Sequence, residues 1–541
     1  MIRLFLILFI STTLVGCYAN KHKIQTLPYH KIEKVSSYSS KYLIANYSIS
    51  KGDFKTVNEI LNNDFNSNEL LKFNFFSNLV SGNFSTANKI SDIITTDKKN
   101  NYLYLLPEYI LNIKNNKFEE NLKISEDKEI FFDFKKLDYL IKLWFQIKKN
   151  KSSFDFNKSL KTISIHELLI LENLYDNTKL NKIADFIYYN KLLNHNDYLF
   201  LAGFYFRQNN LEKFNQIIKT KVSNQFDKKL IAKKFLLKND IFSQKPNLPI
   251  ILSSKLYNIA INYNKAGDKS KSLQKILLET SLFLCPEMDI AGYSLAEIYS
   301  SENLYNIALE KLNKISDKSY YFLPGHLKKL SIKKNFFKRD SFNKLLFQYL
   351  KIWPENESIL YELANYHKTR KEYQKSLKIY EKLIKNFGEN NRLLFLYASN
   401  LDKVNKWEDA KNLFLKLLKK NPNDPYTLNY ISYRLSLKNE ELEYALNLIQ
   451  KAIALEPENG YFLDTIGWVE FKRNKFKNAV FYLEKAASIL PNSTEVLDHL
   501  GDCYFKLGRK KEAIYQWKRA LKYEEDKRII KKITQKIKEI E

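Results

Sequence analysis

Residues that interrupt helices or hold metals are scarce in this chain of 541 residues. Only 12 Gly and 11 Pro occur, which favours many helices joined by short polar turns. The three cysteines, Cys17, Cys285 and Cys503, lie far apart without Cys-x-x-Cys spacing, so no disulfide framework or zinc motif is expected. Hydrophobic residues make up 45% and charged residues 27%, a balance that argues against wholesale disorder.

Signatures of catalysis are also lacking. The seven histidines show no spacing suited to a metal or to a Ser/His/Asp arrangement. His499 stands beside Asp498, but neighbours in sequence point to different faces of a helix. There is no glycine-rich phosphate loop and no dinucleotide fingerprint. We therefore expect no enzyme activity, no metal and no cofactor.

Acidic residues are too few to balance the basic ones, 60 against 88, and the formal net charge is +28. Lysines clustered on one face would indicate a nucleic acid or an anionic surface as partner, and a basic helical array would suit RNA. Lysine recurs in almost every block of ten residues, so a generally basic solvated surface is the simpler interpretation. The export signal described next argues against a nucleic-acid partner.

The N-terminus has the pattern of a secretory signal peptide over residues 1–16: Arg3, an apolar run from Leu4 to Ile10, and small residues before Cys17. The run is too short for a permanent membrane helix, which needs about 20 residues. The segment Leu14-Val15-Gly16-Cys17 resembles the lipobox of bacterial lipoproteins, and the resemblance implies cleavage after residue 16 and lipidation of Cys17. The alternative is a chance cysteine in an ordinary signal peptide.

Residues 17–36 follow as the lipidated cysteine and a polar tether without helical periodicity. Two or three acyl chains anchor a protein stably, whereas one holds only marginally. Tyr18 follows the cysteine in place of Asp, which in the resembled family favours the outer membrane. We expect a lipid-anchored protein of the cell envelope, in the outer membrane and facing the periplasm.

A period of 34 residues runs through the C-terminal third. It is marked by Ala445, Ala479 and Ala513, by Ala452, Ala486 and Ala520, by Gly467 and Gly501, and by Pro457 and Pro491. A small residue on a first helix that faces Ala twelve positions later lets two helices approach closely. Proline just after the second helix turns the chain into the next repeat. One extra residue is expected around Lys438 to Glu441, in a turn between helices.

This spacing resembles that of the tetratricopeptide repeat, clearly over residues 357–525 and weakly over roughly 40–350. Together with the lipobox, the segments Asp498-His499-Leu500-Gly501-Asp502 and Gln516-Trp517-Lys518-Arg519-Ala520 resemble alphaproteobacterial repeat lipoproteins. The resemblance implies an all-α, right-handed superhelical solenoid of tetratricopeptide-type helical hairpins. We expect degenerate repeats over 37–350, well-formed repeats over 351–525, and over 526–541 a helix that caps the last repeat or, alternatively, docks elsewhere.

In such a solenoid the first helices line a concave groove, and residues one turn either side of the small packed residue project into it. These residues are Asn429, Tyr433, Asp464, Trp468, Asp498 and Asp502, with Phe395 and Ser399 in the unit before. Amides, carboxylates and aromatic rings together suit an extended peptide. The alternative is that the two rings pack between neighbouring helices, and that the carboxylates of Asp498 and Asp502 face water or pair with basic residues.

Two functional hypotheses follow. The first is a membrane-anchored protein–protein interaction scaffold of the bacterial cell envelope that binds an envelope protein or peptide in the groove. The second is an envelope lipoprotein that binds an anionic polymer, peptidoglycan or lipopolysaccharide, through its basic surface. Binding by diffuse charge should weaken sharply with salt, whereas binding anchored by aromatic rings should weaken less.

Overall fold

The computed structural model describes residues 38–50, 53–61, 67–94, 102–117, 132–149, 163–174, 178–222, 241–263 and 271–540. Within these ranges the chain forms 27 α-helices, one short 3-10 helix and one π-helical turn, and no strand. The signal peptide, Cys17 and the tether lie outside the described residues. The predicted all-α solenoid of helical hairpins is confirmed.

The chain divides into two compact units, Met1–Ile332 (unit 1) and Lys333–Glu541 (unit 2). The helices that begin in unit 1 are α1 Tyr38–Ser50, α2 Phe54–Leu61, α3 Asn68–Val80, α4 Phe84–Ile93, α5 Leu106–Lys114, α6 Phe132–Lys149, α7 Ile165–Leu174, α8 Thr178–Asn190, α9 His195–Arg207, α10 Leu211–Ile217, α11 Leu248–Tyr263, α12 Lys271–Leu284, α13 Asp289–Ser301, α14 Tyr305–Asn313 and α15 Phe322–Phe336.

The helices of unit 2 are α16 Arg339–Ile352, α17 Glu357–Thr369, α18 Tyr373–Phe387, α19 Asn391–Lys403, α20 Trp407–Lys420, α21 Pro425–Lys438, α22 Leu442–Leu455, α23 Gly460–Lys472, α24 Phe476–Ile489, α25 Thr494–Lys506, α26 Lys510–Leu521 and α27 Lys527–Lys538. From α17 to α26 they pair as five consecutive hairpins, each a first helix packed on a second. No helix in the described ranges is both long and apolar enough to cross a membrane.

Unit 1 contains hairpins but is not a simple linear stack. Helices α9 and α10, α11 and α12, and α13 and α14 pack in pairs, as the degenerate repeats predict. Helix α12 also packs against α3 and α5, far earlier in the chain. The rings of Phe84 and Phe283 lie 4.9 Å apart, and Lys114 Nζ donates to the Leu284 carbonyl at 3.3 Å. These contacts fold the array of unit 1 back on itself.

Each hairpin of unit 2 turns at one residue with left-handed backbone. These residues are Lys371, Asn405, Asn439, Asn474 and Gly508, with φ from 58° to 78°. Asn and Gly reach this region at lower cost than other residues, which explains their recurrence in the turns. The third hairpin has a second such residue, Glu441 at φ 44°, where the extra residue was predicted.

Small residues bring the two helices of each hairpin together. Ser376 Oγ donates to the Ala364 carbonyl at 2.9 Å, twelve positions earlier, and Gly467 faces the Ala479 carbonyl. A Cβ at Gly467 would stand 2.6 Å from Leu483 Cγ. At Gly501 the closest neighbour is the Trp517 ring, 2.4 Å from a Cβ there, and not the expected Ala513. Helix axes therefore approach closely, but a large residue fills the space beside Gly501.

Helix α27 covers the apolar end of the last hairpin. Its Ile533 and Ile537 are buried in one cluster with Trp517 and other residues of α26. At its start, Asp526 pairs with Lys371 from the turn of the first hairpin. The helix therefore contacts both the last and the first hairpin of unit 2.

Candidate functional site

The first helices of unit 2 lie side by side. Helix α21 contacts α23, and α23 contacts α25. The predicted site residues therefore stand on neighbouring helices, on what we call the first-helix face: Asn429 and Tyr433 on α21, Asp464 and Trp468 on α23, and Asp498 and Asp502 on α25. Curved repeat arrays bind their partners on such a surface.

A histidine that the sequence pattern did not single out lies at the centre of this face. His499 Nδ1 is 3.0 Å from Asp464 Oδ1 and 3.2 Å from Asp464 Oδ2, and both side chains are buried. Burial alone would lower the pKa of His499, but the charge and hydrogen bond of Asp464, with Glu495 and Asp498, outweigh it and raise the pKa. The favoured state is therefore a buried imidazolium–carboxylate pair.

Aromatic rings enclose this pair. The Trp468 ring stacks on His499, with centroids 3.9 Å apart and planes at 15°, and on Phe471 at 4.7 Å and 5°. The Tyr433 ring lies 6.4 Å from His499, and its hydroxyl donates to Glu495 two repeats later. Three of the predicted residues, Tyr433, Asp464 and Trp468, therefore meet around one histidine.

The other two predicted carboxylates are engaged by the C-terminal helix. Lys536 Nζ of α27 lies 2.6 Å from Asp498 Oδ1 and 2.5 Å from Asp502 Oδ1. Burial and the neighbouring Asp498 raise the pKa of Asp502, and Lys536 partly offsets this. Asp498 and Asp502 therefore have an internal basic partner, in line with the pairing alternative.

Polar atoms without partners remain on the same face. Trp468 is only 8% exposed, and its indole Nε1–H has no hydrogen-bond acceptor among the described residues. The same holds for a donor to Asn429 Oδ1 and an acceptor for Arg434 Nε, both on α21. Unsatisfied buried polar groups are rare in folded proteins and indicate a missing partner such as a ligand or water.

Other chemistry has little support in the part of the chain that the structure describes. There is no group of three or more His, Cys, Asp or Glu side chains placed to hold a metal. Cys285 and Cys503 are buried free thiols, and burial raises the pKa of each to about 12, which disfavours the reactive thiolate. A depression of about 390 Å³ lies among α24, α25 and α26, lined by Glu484, Tyr504 and Arg519 among others, and away from the predicted site.

Comparison with known proteins gives the following matches. Residues 494–527, which contain α25 and α26, match the family model described as tetratricopeptide repeat. The chain contains a tetratricopeptide repeat. No curated protein matches the sequence.

Similar solved structures are helical repeat proteins. The thermophilic TPR protein TTC0263 of Thermus thermophilus is 19% identical, covers 33% of this chain and 98% of its own, and has a TM-score of 0.31. Yeast Tom70 is 14% identical, with 93% of this chain and 94% of its own covered and a TM-score of 0.32. MamA from Desulfovibrio magneticus RS-1 is 16% identical, with 31% and 94% covered and a TM-score of 0.26.

Proposed function

We propose that this chain is a membrane-anchored scaffold of the bacterial cell envelope that binds another protein on the first-helix face of unit 2. The observation that carries the binding part is the unsatisfied pair of buried polar atoms, Trp468 Nε1 and Asn429 Oδ1. Each such group costs about 1–3 kcal/mol when left unpaired, so a partner that satisfies both gains that free energy. An extended peptide backbone supplies the carbonyl acceptor and the N–H donor that they need.

The residues of this face then have different roles in the proposal. Trp468 and Asn429 contact the partner, with Tyr433 beside them. Asp464 holds His499, which supports the Trp468 ring from one side while Phe471 supports it from the other. Asp498 and Asp502 hold α27 in place through Lys536. The function is binding, and no residue has a catalytic role.

The membrane and envelope part of the proposal rests on the N-terminal sequence. The signal-like segment and its resemblance to a lipobox support lipidation of Cys17 and export, and Tyr18 supports the outer membrane. A protein exported in this way meets envelope proteins and not cytoplasmic nucleic acid. The partner is accordingly an envelope protein or peptide.

Photo-crosslinking in cells tests the binding surface. A photoreactive residue replaces Asn429 in one variant and Phe481 in the other, because Phe481 is 52% exposed on the second helix α24 and serves as a matched control. We expect a discrete protein adduct from position 429 and none from position 481. Adducts from position 481 alone would contradict the proposed surface.

A second variant tests the polar contact itself. Trp468→Phe keeps an aromatic ring between His499 and Phe471 but removes the Nε1–H donor. With the cross-linked partner purified, we expect its affinity to fall about five- to tenfold, the effect of one hydrogen bond. Unchanged affinity would show that the indole N–H does not contact the partner.

A further inference from the structure

Three neighbouring first helices of unit 2 end in the same pair of residues, one apolar side chain followed by lysine. The pairs are Leu437-Lys438 on α21, Phe471-Lys472 on α23 and Phe505-Lys506 on α25, and consecutive pairs are 34 residues apart. Because α21 contacts α23 and α23 contacts α25, the three helix ends lie next to one another. We call these six residues the lysine edge.

The charges of the lysine edge are poorly compensated. No carboxylate among the described residues lies within ion-pair distance of the exposed Lys506, Lys438 Nζ comes no closer than 3.9 Å to Glu440, and Lys472 lies 5.1 Å over the Trp468 ring. Several lysines on the second helices, by contrast, form close ion pairs between hairpins: Lys382 with Glu355 at 2.6 Å, Lys416 with Glu389 at 2.7 Å and Lys411 with Glu441 at 3.1 Å. Positive charge is therefore left available at this edge.

Helix electrostatics explains only part of the pattern. A lysine in the last turn interacts favourably with the negative end of the helix dipole. That effect does not require an apolar residue beside each lysine, and Leu437 and Phe505 are 41% and 40% exposed. A row that combines basic and exposed apolar groups fits a ligand that offers carboxylates and apolar surface at one regular interval.

The interval follows from helix packing. Neighbouring packed helices lie about 8–10 Å apart, so the lysine edge offers one Lys and one apolar group at about that spacing. A polyproline II helix has three residues per turn and rises about 3.1 Å per residue, which repeats each face every ~9.3 Å. A β-strand repeats each face after two residues, or about 6.6 Å, and does not match.

We propose that the lysine edge binds an acidic, proline-containing segment in the polyproline II conformation, with Glu or Asp at every third position. Each carboxylate pairs with one lysine, and the prolines pack against Leu437, Phe471 and Phe505. Aromatic and apolar surfaces are the usual platform for such segments, whose preformed conformation reduces the entropy lost on binding. This surface lies at the ends of the first helices and is additional to the partner site at Trp468 and Asn429.

Fluorescence anisotropy with labelled peptides tests the proposal on the chain that begins at Tyr18. The probe is (Glu-Pro-Pro)5, and its control has the same composition with the five Glu residues contiguous. We expect the periodic peptide to bind about tenfold more tightly than the control, since only its charges match the three lysines together. Equal binding of the two peptides would overturn the proposal.

Substitutions locate the binding. Lys438→Gln, Lys472→Gln and Lys506→Gln combined should weaken binding of the periodic peptide about tenfold. The matched variant changes Lys419, Lys451 and Lys522 to Gln, which removes the same charge at exposed positions on or beside second helices and should leave the affinity unchanged. Circular dichroism confirms that both variants remain folded. Equal losses in the two variants would indicate diffuse charge attraction and refute the site.

Two further arms separate this proposal from its alternatives. Dextran sulfate, a linear anionic polysaccharide, should compete only weakly; if it bound more tightly than the peptide and lost affinity in the lysine-edge variant, the ligand would be a glycan and the proposal would be wrong. Trp468→Phe and the crosslinker at position 429 report on the other surface. Failure there with intact peptide binding, or the reverse, shows which of the two proposals is wrong.

Discussion

The buried pair of His499 and Asp464 makes the stability of unit 2 depend on pH. The pKa of His499 is raised because Asp464, with Glu495 and Asp498, outweighs the effect of burial. A raised folded pKa contributes stability that is fully present below the unfolded pKa of about 6.5 and is lost as pH rises through the folded value. Each unit of pKa difference corresponds to about 1.36 kcal/mol in the free energy of unfolding.

Asp464→Asn should reverse the direction of this pH dependence. Without the carboxylate, burial is the largest influence on His499, so its pKa falls below the ordinary value and stability rises with pH. Removing one partner of a buried ion pair costs about 3–5 kcal/mol, so the free energy of unfolding near pH 6 should drop by about 3 kcal/mol. At alkaline pH, where His499 is neutral in both proteins, the difference should be smaller.

Urea unfolding, followed by circular dichroism and tryptophan fluorescence between about pH 6 and pH 9, measures the effect. His499→Gln is the reference because it lacks the titrating group, and the difference between wild type and this variant isolates the contribution of His499. We expect that difference to shrink as pH rises. Parallel curves for wild type and His499→Gln, or a wild-type slope in Asp464→Asn, would refute the charged buried pair.

Three other outcomes are expected. Gly501→Ala should destabilise unit 2 by about 1–3 kcal/mol because its Cβ would stand 2.4 Å from Trp517 Nε1, whereas Gly292→Ala, with its nearest atoms 4.0 Å away, should stabilise by about 0.5–1 kcal/mol; thermal unfolding that gave the same sign for both would contradict this packing. Lys536→Gln leaves Asp498 and Asp502 without their basic partner, so amide hydrogen exchange in α27 should accelerate, and unchanged protection would show that the lysine does not hold the helix. Cys17→Ser should move the protein from the membrane to the soluble fraction on cell fractionation, and retention in the membrane would exclude anchoring through this cysteine.

The hairpins of unit 2 were predictable because their signals are local. Close helix packing requires a small residue at a fixed interval, which is why Ala364 and Ser376 mark the first hairpin and Gly467 and Ala479 the fourth. In unit 1 the period is weak. There α12 packs against α3 and α5, and contacts between helices so far apart in sequence leave no periodic trace.

The candidate site was predictable in position but not in its contacts. The repeat register placed Asp464 and Trp468 on one face, yet the pairing of Asp464 with His499 was missed because His499 was compared with its sequence neighbour Asp498. A signal was present, since His499 follows Asp464 by 35 residues, one more than the period. Such a residue stands beside its counterpart on the next first helix.

By itself, the sequence determined the helical hairpins of unit 2, the turn that holds an extra residue, and which side chains stand on the first-helix face. These properties depend on intervals along one chain segment. Only the tertiary structure decided that His499 joins Asp464, that Lys536 reaches Asp498 and Asp502, and that Phe283 packs on Phe84. The partner of a side chain depends on the rotation and separation of neighbouring helices, and close packing of all the surrounding side chains sets both.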